Sequence, residues 1–121
     1  PGTGRANETG AHDNVLNMPL PPGSGGAEMR RVYESEAFPR LKEFNPELII
    51  VSAGFDAHAN DPLAQLYWKV EDFAWLTQQI CAIAAECCDG KVVSVMEGGY
   101  DLAGLAASAK AHVDELMKAG S

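Results

Sequence analysis

The chain has 121 residues, 46% of them hydrophobic, with 9 basic against 17 acidic side chains and a formal charge of -8. That length and apolar share suit one domain with a single core, and the acidic balance excludes a sequence-independent grip on nucleic-acid phosphates, which needs lysine and arginine to displace counterions. No apolar run approaches the ~20 residues that cross a bilayer, no leader is visible, and Cys81, Cys87 and Cys88 crowd together too closely for a disulfide framework, so no membrane contact and a reducing, cytoplasmic compartment are expected.

Residues 1–13 are rich in Gly, Thr, Asn and charge and have no apolar period, which predicts a mobile loop to about residue 14. The opening Pro1-Gly2-Thr3-Gly4 reads as the middle of a domain. Val15, Leu16, Met18 and Leu20 predict a short strand, stopped by Pro21-Pro22-Gly23-Ser24-Gly25-Gly26. Over residues 27–44, Met29, Val32, Tyr33, Ala37, Leu41 and Phe44 share one helical face, with a kink expected near Phe38 because Pro39 has no N–H to give the preceding turn. Asn45-Pro46 ends that helix.

Leu48-Ile49-Ile50-Val51 is a continuous apolar, β-branched run of the kind buried on both faces of a parallel sheet. A long connection comes next, and long connections are often functional. Phe73, Leu76, Ile80, Ile83, Ala84 and Cys87 predict a helix over residues 70–88, closed by Asp89-Gly90. Val92, Val93, Val95 and Met96 predict another strand, broken at Gly98-Gly99, and Leu102, Leu105, Ala106, Ala109, Val113 and Leu116 trace a last helix. The order β-α-β-α-β-α predicts an α/β fold of three layers, a parallel sheet with helices on both faces. In such sheets ligands gather beyond the carboxyl ends of strands, which points to the loops after Val51 and Met96.

After Val51 come Asp56, His58 and Asp61, whose spacing suits a shared metal but equally suits turn caps around Asp61-Pro62 with a solvated histidine. After Met96 comes Glu97-Gly98-Gly99-Tyr100-Asp101. There the glycines let backbone approach a ligand and Tyr100 can donate a hydrogen bond, or else Tyr100 packs over the turn and Asp101 caps the helix. A phosphate loop or Rossmann-like nucleotide site lacks its glycine fingerprint, and Glu97 would repel phosphate. The two loops gain meaning together, since a carboxylate and a phenol at one crevice suit metal-assisted hydrolysis.

The stretches Asn45-Pro46-Glu47-Leu48-Ile49-Ile50-Val51-Ser52-Ala53-Gly54-Phe55-Asp56-Ala57-His58, Asp61-Pro62-Leu63 and Glu97-Gly98-Gly99-Tyr100-Asp101 resemble the histone deacetylase, acetylpolyamine amidohydrolase and acetoin-utilisation superfamily, closest to its bacterial and class II-like members. Pro1-Gly2-Thr3-Gly4 and Asn17-Met18-Pro19-Leu20 extend the likeness over nearly the whole chain. The resemblance implies that residues 1–121 are the carboxyl-terminal part of one deacetylase domain with a partial arginase-deacetylase fold. It implies that Asp56 is a zinc ligand and that Tyr100 is the catalytic phenol that polarises the acyl carbonyl. Leu63, Gly98 and Gly99 would line the pocket for an acetylated amine, an acetyl-lysine or acetylpolyamine.

The family draws its other zinc ligands from an earlier Asp-x-His motif and its general base from a His-His pair. This chain has no His-His pair, and Asp56-Ala57-His58 falls in the family's later motif, where His58 is a neighbour of the ligand. The expectations are therefore an inactive isolated chain that does not hold Zn2+ tightly, and self-association through the sheet surface left bare. The alternative is a non-catalytic α/β module acting through itself or a partner chain. His12, His112 and the three cysteines are expected to be structural or solvated.

Overall fold

The computed structural model describes residues 2–60 and 66–121. Helix α1 (Gly26–Val32) starts where the Glu28 carboxylate accepts the Gly25 N–H at 3.0 Å. It runs into a π-helical turn (Tyr33–Ala37) and then α2 (Phe38–Phe44). The expected kink near Phe38 takes this form: Phe38 N–H reaches back to Tyr33 C=O, and the widened turn makes room for Pro39 at the start of α2. Asn45, at φ 54°, ends α2 in the left-handed conformation.

Strand β1 (Ile49–Ala53), α3 (Val70–Cys88) and β2 (Val92–Met96) form a βαβ unit, with β1 and β2 parallel and in register from Ile49 opposite Val92 to Ala53 opposite Met96. Helix α4 (Leu102–Ala119) comes last and packs along α3. Alternation sorts each strand. Ile49, Val51, Ala53 and Val92 turn towards the helices, in a core of Met29, Phe38, Phe55, Trp68, Phe73, Ile83 and Ala84. Ile50, Val93 and Val95 turn the other way.

The parallel α/β architecture stands, with differences in detail. Residues 15–20 form no strand: Val15 and Leu16 are exposed, the Val15 N–H binds Thr9 C=O, and the Asn17 amide donates to the carbonyls of Arg5 and Glu8. With Pro19 lacking a donor and no neighbouring strand among the described residues, there is no ladder to join. The helices among these residues cover one sheet face only, so the opposite face of the apolar run lies open, Ile50 at 65% exposure. Phe44, placed by periodicity on the buried face of its helix, is 75% exposed, because the extra residue of the π turn rotates the helix beyond it.

Helix α4 departs in part from its expected face as well. Its buried stripe is Gly104, Ser108 and His112, while Leu102, Ala106 and Val113 are exposed. Leu105 and Ala109 of the expected set do pack against the core, so the helix buries part of its apolar face together with this stripe of small and polar residues. No described helix is long and apolar enough to cross a membrane.

Candidate active site

Two backbone hydrogen bonds tie the strand ends together: Glu97 N–H donates to Ala53 C=O at 2.9 Å, and Phe55 N–H donates to Gly98 C=O at 2.8 Å. They carry the pairing one step past each strand and set the two candidate loops side by side. Phe55 is buried against Phe73, which anchors the turn, and the His58 N–H closes it on Phe55 C=O at 3.3 Å. Trp68 then bridges back, its N–H on Ala57 C=O and its C=O taking the Ala59 N–H. The half-buried Asp56 is thereby held between two buried neighbours, Phe55 and Ala57.

Gly98 is where Asp56 and Tyr100 converge. A β-carbon there would lie 3.6 Å from the Tyr100 hydroxyl and 3.7 Å from the Asp56 carboxyl carbon. The bare backbone of Gly98 thus forms the floor between a carboxylate and a phenol. Gly99, at φ 152°, takes the chain past Leu105, whose Cδ1 would lie 2.8 Å from any added β-carbon. Asp101 then caps α4, accepting the Gly104 N–H at 2.7 Å. The cap fixes the helix start immediately after Tyr100, which is 59% exposed and opens to the crevice.

His58 leaves the pair. Its Nδ1 accepts the Asn60 N–H at 3.1 Å, and the ring lies over Gly104, close enough that a β-carbon there would sit 2.7 Å from Nδ1. It clamps the loop of Asp56 to the first turn of α4, a contact between distant residues that no spacing or periodicity pairs. Leu63, with Asp61 and Pro62, lies outside the described residues. Among the described residues no three of His, Cys, Asp and Glu gather as a metal would require. Asp56 alone does not fit a catalytic zinc centre, which takes three protein ligands.

Away from the crevice, His112 has both ring nitrogens engaged, with Thr77 at 2.8 Å and Ser94 at 2.7 Å, and its ring edge meets Phe55. Burial holds its pKa below the usual 6.5. His12 sits exposed in the opening loop, and Cys81, Cys87 and Cys88 are free thiols. Burial and the nearby Glu115 push the Cys81 thiol up.

Residues 1–116 match the model of the histone deacetylase domain. The chain is 43% identical over 111 residues to "Histone deacetylase 10, chloroplastic" of Oryza sativa, covering 89% of this chain and 25% of that protein. It is 37% identical over 101 residues to "Histone deacetylase-like amidohydrolase" of Pseudomonas aeruginosa, covering 84% of this chain and 27% of that one. The crystal structure of the HDA15 HD domain superposes with a TM-score of 0.87 at 32% identity, over 98% of this chain and 33% of the other. The chain thus spans about a quarter of the length of these curated relatives. An α/β frame with its strand-end crevice, matched over nearly all of its length, makes this chain a member of the histone deacetylase domain family.

Proposed function

We propose that these residues contribute one carboxylate and one phenol to a site that hydrolyses acetylated amines, acetyl-lysine or acetylpolyamine. The observation that carries this reading is the convergence of Asp56 and Tyr100 over Gly98, beyond the carboxyl ends of two parallel strands. The Tyr100 hydroxyl donates a hydrogen bond to the acyl oxygen as that atom gains negative charge, a contribution of roughly 3 kcal/mol for a well-aimed donor. Gly98 and Gly99 keep the wall beside the acyl group free of side chains. Asp56 is one ligand of the zinc that the family resemblance implies, and the remaining ligands and the general base come from outside residues 1–121. The isolated chain accordingly has no turnover of its own.

Calorimetric titration of the chain with zinc, repeated with Asp56→Ala, alongside a fluorogenic acetyl-lysine assay, tests this. Weak binding and no turnover are expected. Tight, Asp56-dependent binding with turnover would mean that these residues complete a site unaided, and would overturn the reading of a partial one. A second reading, association with another copy of the chain, is supported by the open sheet face of Ile50, Val93 and Val95.

A further inference from the structure

Gly104 stands in the first turn of α4, where glycine costs helix stability relative to alanine, and no positive φ requires it there. What requires it is space. A β-carbon at Gly104 would lie 2.7 Å from His58 Nδ1, 3.0 Å from His58 Cγ and 2.8 Å from Asp101 Oδ2. The missing side chain leaves a seat that the imidazole and the capping carboxylate share.

The ring reaches this seat from a firm base. His58 N–H donates to Phe55 C=O at 3.3 Å, and Trp68 grips the residues on either side, its N–H on Ala57 C=O at 2.9 Å and its C=O on the Ala59 N–H at 2.8 Å. His58 Nδ1 accepts the Asn60 N–H at 3.1 Å, which sets the rotation of the ring. Across the seat, Asp101 accepts the Gly104 N–H at 2.7 Å, so the ring rests on the helix cap that follows Tyr100 directly. Asp56 lies two residues before His58, and Tyr100 one residue before Asp101, so the path between them through the seat is short. It is separate from the tie at the crevice floor, the Phe55 N–H on Gly98 C=O at 2.8 Å. One bond placed before Tyr100 leaves the turn able to pivot about it; a second contact placed beyond Tyr100 fixes its direction.

We infer that His58 is a positioning residue: its ring, seated on Gly104 against the Asp101 cap, holds the Tyr100 turn at a fixed separation from Asp56. The inference rests on the proposed roles of Asp56 and Tyr100, and it gives the histidine beside the carboxylate a task separate from metal binding.

Two substitutions separate the ring from its hydrogen bond. His58→Asn keeps an acceptor for the N–H two residues on, the bond of an Asx turn, and takes the ring out of the seat. His58→Phe keeps a flat ring there and loses the bond. Backbone order parameters measured by NMR on the chain in dilute, low-salt solution read the result. The Gly99 and Tyr100 amides are expected at ~0.85, the value of rigid backbone, in the unmutated chain and in His58→Phe, and should fall towards ~0.6 in His58→Asn while Ile83 and Ala84 in the core of α3 stay unchanged. Gly104→Ala enters the seat from the helix side, so it should loosen the turn where His58 is present and add less in His58→Asn, where the seat is already empty. Order kept in His58→Asn but lost in His58→Phe would assign the effect to the Asn60 bond. Equal effects of Gly104→Ala in both backgrounds would assign it to the Asp101 cap alone, and a turn already mobile in the unmutated chain would leave His58 nothing to hold. Each of these overturns the proposal. Should His58→Asn not fold, Gly104→Ala decides alone, and a turn as ordered as in the unmutated chain sinks the idea. Neither metal nor turnover enters the readout, so failure here and failure of the deacetylase reading are separate results.

Discussion

Asp72 sits at the start of α3 with 7% of its surface exposed, and a buried carboxylate needs a donor for each oxygen. One oxygen accepts the Lys69 N–H at 2.8 Å, satisfying a helix-end donor, and the other holds the Arg30 guanidinium at 3.1 Å. Arg30 in turn lies over the Trp75 ring, 4.9 Å from its centre, so one aspartate joins the start of α3 to α1. Asp72→Ala should cost about 1–2 kcal/mol, since it loses the cap on the Lys69 N–H and the partner of the half-exposed Arg30 guanidinium; the check is a lower urea midpoint with an unchanged slope. His112 makes a prediction about protons. Its pKa is lower folded than unfolded, so the unfolded chain binds the extra proton more readily. Stability from this group is complete above the unfolded value of 6.5, falls as the pH drops through it, and levels off below the folded value. Glu28 is held down by backbone hydrogen bonds and Glu115 chiefly by Lys118, so their stabilisation is lost only below about 4.5. A urea midpoint series should therefore show a first decline near neutral pH, and His112→Gln should remove that decline alone.

At the scale of elements, the break at Pro39 is legible in the sequence because a missing N–H is a local fact, whereas the π turn that resolves it is not. The turn inserts a residue between the faces of α1 and α2, and no pattern of apolar residues encodes where that residue goes. Deleting Ser35 should therefore leave both faces in register but return the Pro39 ring to a clash with the carbonyl a turn earlier, a cost of about 3 kcal/mol or more. Combining the deletion with Pro39→Ala should recover most of that loss, measured by circular dichroism and thermal midpoint; a deletion that costs the same with either residue at 39 would show that the π turn has another cause. Helix α4 is the converse case. Its apolar positions mark a helix correctly and its buried face only in part: Leu105 and Ala109 pack against the core, but Gly104, Ser108 and His112 are buried more deeply, with His58 over Gly104 and Thr77 and Ser94 around His112. Periodicity measures hydrophobicity along one helix and carries nothing about a hydroxyl supplied by its neighbour.

At the scale of the whole chain, the crevice is readable because strand ends converge in a parallel sheet, so Asp56 and Tyr100 can be paired without coordinates. The layer count is not readable, since an apolar run such as Leu48-Ile49-Ile50-Val51 specifies that both faces should be covered without specifying by what. Among the described residues, Ile50, Val93 and Val95 form an open face on the sheet, and Leu102, Val113 and Met117 lie exposed on α4. Burying apolar area contributes roughly 25 cal/mol per Å², and the parallel strands also present unpaired backbone at their edges, a template for another chain. A second copy is the partner always at hand in a purified sample, although the net charge of -8 opposes close approach. Light scattering over a concentration series should therefore show the apparent mass climbing, more steeply as added salt screens the repulsion. Ile50→Thr with Val93→Thr keeps β-branched side chains in the strands while making the open face polar, so it should flatten that climb with little loss of thermal midpoint. A wild-type chain that stays monomeric across the whole series, with and without salt, would mean that the open face does not drive self-association.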